Sequence, residues 1–273
     1  MAAPDQIERT AYSLASTRPR PCRRWLASSA QPGDGGRLQP GKRNALRLLN
    51  EAVNFEREAI FIAVPRTGTT SIRRQLAQSG PALIENPHLT ILQVRDSLYT
   101  HFLLNSLGRN RSFPTDPEAV PSDADVRRMA AETFARFFKF ASVRNPWTRA
   151  LSLYKRRQGL QLSEKMDFET FCEGLRYASD TCSHPTRVQN QLDWITDENG
   201  VVLVDYVLRL EDLDAGIREI NERTDGRLGL RVLHLNNNPA SNPDAYREAY
   251  SAKARDHVAA LFARDIEHFG YDF

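Results

Sequence analysis

Cysteine is scarce in this chain. Three occur, Cys22, Cys172 and Cys182, and no two of them form a C-x-x-C pair. That spacing argues against a structural zinc site and against a disulfide framework. Cys172 and Cys182 can pair in an oxidising compartment, but idle thiols are the simpler reading. Long apolar runs are also missing. No stretch of 18 or more apolar residues occurs, and no signal-peptide core is seen, so no membrane-spanning helix is expected. Charge of one sign is missing too. Lys and Arg total 37 against 34 Asp and Glu, a net charge of +3. That balance gives no reason to expect a general polyanion or nucleic-acid partner. No internal repeat is visible, and no carboxylate cluster suggests a metal.

What remains is an ordinary globular composition. The chain has 273 residues, 41% of them hydrophobic and 26% charged. That suits one large α/β domain or two small ones. Residues 1–43 are polar and rich in Arg, Ser, Pro and Gly. Arg18, Arg20, Arg23 and Arg24 cluster there, and Gln31 to Gly36 reads as flexible. The expectation is a flexible extension over 1–43 and a folded domain over 44–273. Asn44 to Phe55 reads as a lead-in helix. Strand and helix patterns then alternate, which predicts a mostly parallel sheet flanked by helices. Ser122 with Asp125 predicts one helix start, and Asp167 predicts another. Leu213, Ile217 and Ile220 mark a further helix. Val201 to Leu210 reads as strand. Ser251 opens a final helix with Val258, Leu261, Phe262 and Ile266 inward.

Two segments carry chemistry. The first is I-F-I-A-V-P-R-T-G-T-T-S-I, Ile60 to Ile72. Ala59 to Val64 is a continuous apolar run, as expected of a buried parallel strand. Pro65 ends it, and a helix follows from about Thr69 to Gln78. Gly68 permits a tight turn and a close approach of backbone to ligand. The N–H groups of this turn and of the helix start form an anion nest. Thr67, Thr69, Thr70 and Ser71 supply hydroxyls, and Arg66 a fixed positive charge. The Walker pattern requires a lysine after its second glycine. Here Gly68 is followed by Thr69, and the cation precedes the glycine, which disfavours an ATP or GTP hydrolase.

The second segment is K-F-A-S-V-R-N-P-W-T-R-A-L-S-L-Y, Lys139 to Tyr154. It reads as strand, turn and helix, the helix running from Trp147 to about Gln158. Arg144 at the strand end and Ser152 two turns into the helix can reach one anion beside the helix N-terminus. Arg149, Lys155, Arg156 and Arg157 read as an exposed basic face. Two such sites on one domain point to a ligand with two separate phosphate-like groups.

V-P-R-T-G-T-T-S resembles the 5′-phosphosulfate loop of sulfotransferases that use 3′-phosphoadenosine 5′-phosphosulfate. V-R-N-P-W-T-R-A-L-S-L-Y resembles their 3′-phosphate motif. The nearest resemblance is to the carbohydrate-type sulfotransferases, which include Golgi enzymes and many bacterial proteins. Q-L-D-W-I-T-D-E-N-G, V-D-Y-V-L-R-L-E-D-L and D-I-E-H-F-G-Y-D-F also resemble this group, so the likeness spans roughly residues 58 to 273. It implies the P-loop-like sulfotransferase fold, the phosphosulfate donor as co-substrate, no metal, and a carbohydrate or small-molecule hydroxyl as acceptor. Golgi members carry a membrane anchor. Its absence here leads to the expectation of a cytoplasmic bacterial protein or of a truncated chain. Many members have lysine where this chain has Arg66. A guanidinium stabilises charge but hardly gives up a proton. The stretch from about Leu98 to Ser122 is longer and more polar than the resemblance implies and reads as an acceptor loop.

Sulfuryl transfer needs a base to take the acceptor proton, and histidine suits that task. His88, in E-N-P-H-L-T, falls where the chain should return to the sheet end, and it is the first choice. Glu85, His101 and His184 stand as alternatives, while His257 and His268 read as structural. By the same resemblance, Asn237 to Tyr250 can close over the nucleotide. There Arg247 either contacts the 3′-phosphate or lies on a solvated face. Two other readings stay open: a kinase-like nucleotide-dependent P-loop protein, and a degenerate member that binds nucleotide without turnover.

Overall fold

In the computed structural model, three parallel strands make the frame of the molecule. The structure describes residues 49–78, 82–109, 121–159, 166–175, 190–233 and 244–273, without the side chains of 107–109 and 156–159. The strands are β1 (Val53–Asn54), β2 (Ala59–Ile62), β3 (Phe138–Val143) and β4 (Tyr206–Arg209), in the spatial order of their numbers. β2, β3 and β4 run parallel, and the short β1 is an antiparallel edge. The helices are α1 (Thr69–Leu76), α2 (Ile91–Arg109), α3 (Asp123–Arg136), α4 (Pro146–Gly159), α5 (Phe168–Gly174), α6 (Leu213–Arg223), α7 (Ala252–Leu261) and α8 (Ala263–Phe269). The chain is therefore an α/β protein with a mostly parallel sheet, as the alternation of strand and helix patterns predicts.

The apolar run through β2 is buried on both sides, because successive side chains point to opposite faces. Ile60, Ile62 and Val64 pack with Ile91, Val94, Leu98 and Ala130 on one face. Ala59, Phe61 and Ala63 pack with Ile72, Leu76, Ile217 and Ile220 on the other. Phe61 of β2 stacks on Phe140 of β3 at 4.9 Å between ring centroids. A third cluster joins Val143, Trp147 and Leu153 to Phe171, Val258 and Phe262. It seats α4, α5 and α7 beyond the carboxyl end of β3.

Three helix starts match the sequence, and at the head of α7 the Ser251 hydroxyl accepts the Ala254 N–H. The Ser122 hydroxyl accepts the Asp125 N–H at the head of α3, and the Asp167 carboxylate accepts the Thr170 N–H at the head of α5. Other expectations are corrected. Residues 49–55 are not helical. Asn50 Oδ1 accepts the Ala52 N–H, and Asn54 Oδ1 accepts the Arg57 N–H. These asparagines offer the backbone local bonds that compete with helix. The single C-terminal helix is two. The chain breaks at Phe262, with φ −112° and ψ 27°, where the ring is buried in the third cluster. Strand character within 201–210 is confined to Tyr206–Arg209 and one bridge from Val202 to Thr196. Residues 1–43, Cys22, Cys182, His184 and the stretch 110–120 lie outside the described residues. So do residues 237–243 and the side chains of Arg156 and Arg157. Among the described residues no helix is long and apolar enough to cross a membrane.

Candidate active site

β2 and β3 end side by side, and each delivers one cation-bearing loop to the same edge of the sheet. At the end of β2 the chain turns sharply. Arg66 has φ +69° and Gly68 φ +76°. A left-handed arginine is strained by roughly 1–2 kcal/mol, and such strain clusters at functional loops. A Cβ at Gly68 would stand 2.5 Å from Leu210 Cδ1, so the loop is also packed tightly from the β4 side. Gly68 is the N-cap of α1. No side chain caps that helix, and its first turn carries no acidic residue. Its leading N–H groups and the positive end of its dipole are therefore suited to an anion.

The hydroxyls of this loop divide by role. Thr67 is buried; it donates to the Val64 carbonyl at 2.9 Å and shares a 2.6 Å hydrogen bond with Ser142 of β3. Ser71 donates to the Leu233 carbonyl. Both therefore hold the loop in place. Among the described residues, the hydroxyls of Thr69 and Thr70 have no protein partner, and Thr70 is exposed.

The end of β3 is built differently. Asn145 caps α4, its Oδ1 accepting the N–H groups of Trp147 and Thr148 at 3.0 and 3.4 Å. Pro146 takes the first helical position, where no N–H is needed. The Arg144 N–H donates to Gln191 Oε1, and the Asn145 N–H donates to Glu211 Oε1. These backbone donors are taken up within the protein, so an anion here meets side chains rather than the helix terminus. That departs from the picture of an anion beside the start of α4. Arg144 Nε donates to Thr148 Oγ1 at 2.8 Å, and Nη1 reaches the Arg66 carbonyl at 3.4 Å. Burial pulls the Arg144 pKa below the ordinary guanidinium value, Glu211 opposes that, and the neighbouring Arg66 adds to it. An anion between the two guanidiniums would relieve both costs.

The two loops meet directly. Arg66 Nη2 donates to Ser152 Oγ at 2.6 Å and to the Ser152 carbonyl at 3.2 Å, and Nε donates to the same hydroxyl at 3.1 Å. Arg149, read from sequence as part of an exposed basic face, is instead 4% exposed, and its Nε donates to the Pro65 carbonyl at 3.0 Å. Its place inside follows from its turn of α4, which faces the first loop and the Phe262 ring.

His88 lies at the same edge. Its Nδ1 is 2.6 Å from the Ala63 carbonyl, three residues before Arg66. A carbonyl only accepts, so Nδ1 carries the proton and Nε2 is the basic nitrogen. The Asn86 carboxamide accepts the His88 N–H and donates to the His88 carbonyl, fixing the turn that presents the ring. The His88 ring stands edge-to-face with buried Trp194. His101 is elsewhere: it stacks on Phe55 at 4.6 Å, beside Phe102, at the end of the sheet where β2 and β3 begin. Glu85 is exposed. Arg247 is held by Asp244 at 2.9 Å and by the Phe273 carbonyl at 2.9 Å. Among the described residues no group of three or more His, Cys, Asp or Glu is arranged to hold a metal.

The fold and this paired-loop site define an α/β protein with two adjoining cation-bearing loops at the carboxyl ends of parallel strands. Residues 55–272 match the family model described as "Sulfotransferase family". The chain belongs to the sulfotransferase family. No curated protein and no solved structure gives a match.

Proposed function

We propose that this protein transfers a sulfuryl group from 3′-phosphoadenosine 5′-phosphosulfate to a hydroxyl of a carbohydrate or small-molecule acceptor. The observation that carries the proposal is the union of two cation-bearing loops through Arg66, Ser152 and Arg144 at one sheet edge. A ligand with anions at both its 5′ and 3′ ends matches that pair. The residues fit it: an uncapped helix start with a left-handed glycine on one side, and a half-buried guanidinium on the other.

In this reading the N–H groups around Gly68 and the hydroxyls of Thr69 and Thr70 hold the 5′ end. Arg144 and Ser152 hold the 3′-phosphate. The donor supplies the sulfuryl group, whose bond to the 5′-phosphate oxygen breaks as a bond to the acceptor oxygen forms. Arg66 and the α1 N-terminus stabilise the negative charge left on that phosphate. His88 takes the acceptor proton at Nε2, with the Ala63 carbonyl holding its tautomer.

The test is release of adenosine 3′,5′-bisphosphate from the donor, measured against a panel of sugar and small-molecule hydroxyls. Acceptor-dependent release that is lost in Arg66→Ala and Arg144→Ala is the expected result. Tight donor binding with no release on any acceptor would make the chain a nucleotide-binding member without turnover.

A further inference from the structure

Arg144 is held from behind by a buried polar chain that ends on α8. Gln191 is 0% exposed, and its carboxamide spans both sides of Arg144. The Arg144 N–H donates to Gln191 Oε1 at 2.8 Å, and Gln191 Nε2 donates to the Arg144 carbonyl at 2.8 Å. Gln191 is fixed in turn by Asp265 of α8. That carboxylate, also 0% exposed, accepts the N–H groups of Gln191 and Leu192 at 2.8 and 2.9 Å. Burial raises the Asp265 pKa; nearby Arg149 and the two N–H groups oppose that rise. Arg149 is the same residue that donates to Pro65 in the first loop. One buried group of three side chains thus touches the backbone of both loops.

Burying a carboxylate and a carboxamide costs free energy unless their polar atoms are satisfied. Here both bonds of the Gln191 carboxamide go to one residue, the one whose side chain faces the second anion site. The backbone donors of Arg144, Asn145, Trp147 and Thr148 are already used within the protein. Recognition at this site therefore rests on where the guanidinium stands, and Gln191 sets the backbone that carries it.

We propose that Gln191 and Asp265 are positioning residues for the 3′-phosphate, placing Arg144 so that the site distinguishes 3′-phosphorylated nucleotides from those that lack this group. The inference rests on the two-anion reading above. Neither residue touches the ligand.

The test uses calorimetry on the full chain with adenosine 3′,5′-bisphosphate and with 5′-AMP. The monophosphate reports the first loop alone. The unaltered protein should prefer the bisphosphate. Gln191→Leu should lose about tenfold in bisphosphate affinity, the cost of lost preorganisation, with 5′-AMP affinity held within about twofold. Asp265→Asn, which keeps one acceptor oxygen instead of two, should shift the ratio in the same direction. Gln191→Glu keeps the acceptor for the Arg144 N–H and should retain part of the preference. It also decides the matter if circular dichroism shows that Gln191→Leu does not fold. A bisphosphate-to-AMP ratio unchanged in the folded variants, or an equal loss for both ligands, would overturn the positioning role and leave the two-anion reading standing. A lack of preference in the unaltered protein would overturn that reading first.

Discussion

The guanidinium of Arg66 and the hydroxyl of Ser152, 86 residues apart in sequence, are joined by a 2.6 Å hydrogen bond. The cation of the first loop and the hydroxyl of the second are therefore one unit, and changes to them should not be independent. Arg66→Ala and Ser152→Ala should each weaken adenosine 3′,5′-bisphosphate binding. The double variant should fall short of the summed losses by about 0.5–3 kcal/mol, the usual range for residues in contact. A double-mutant cycle by calorimetry checks this. Strict additivity would mean that the bond plays no part in recognition.

Arg144 is the cation that should read the 3′-phosphate. Hydrogen bonds to charged groups contribute about 1.5–3 kcal/mol, so Arg144→Ala should cost about tenfold to a hundredfold in bisphosphate affinity. Affinity for 5′-AMP should change little. Equal losses on both ligands would detach Arg144 from the 3′ end.

His88 is oriented through Nδ1 by the Ala63 carbonyl. His88→Ala should slow sulfuryl transfer by about a hundredfold to ten-thousandfold, the range for a general base. Donor binding should persist, since Nε2 acts on the acceptor. Unchanged turnover in stopped assays with saturating donor would send the search for a base elsewhere, to Glu85 or His184.

Gly68 and Gly200 both have strongly positive φ, +76° and +81°, but only Gly68 is crowded by a neighbour. Replacing either by Ala should cost roughly 1–2 kcal/mol of backbone strain, which at this size is a few degrees in Tm. Only Gly68→Ala should also lose nucleotide affinity, because its loop faces the anion. Thermal unfolding with and without bisphosphate separates the two. Retained ligand stabilisation in Gly68→Ala would contradict the nest.

Thr67 and Ser142 tie the ends of β2 and β3 together out of solvent. Thr67→Val leaves the buried Ser142 hydroxyl without that partner and should cost about 1–3 kcal/mol. Thr67→Ser should be close to neutral. A Thr67→Val protein as stable as the parent would show that this bond contributes nothing net.

The two strand–turn–helix units were legible in the sequence because a buried strand, a proline or glycine turn and a helix each leave a local pattern. The apolar run before Pro65 and the Asn145-Pro146 turn mark where each strand stops and each helix begins. Residues that act through long-range contacts leave no such pattern. Nothing near Arg149 marks it as buried, since its partners Pro65 and Phe262 are distant in sequence. The same holds for Gln191, Glu211 and Asp265, which brace the second loop from three separate segments. Those segments, Q-L-D-W, L-R-L-E-D-L and D-I-E-H-F-G-Y, are stretches that resemble the family, but their spacing alone gives no hint of a shared role. Over residues 49–55 the expected lead-in helix is absent for a local reason, because Asn50 and Asn54 form side-chain turns in place of helix. His101 fits a helix in sequence as it does in the fold; only the packing against Phe55 puts it at the wrong end of the sheet.

The most direct measurement is calorimetric comparison of adenosine 3′,5′-bisphosphate, 5′-AMP and ATP with magnesium on the unaltered protein. The two-anion site requires clear preference for the bisphosphate over both others. Preference for ATP with magnesium, or binding that ignores the 3′-phosphate, would contradict it.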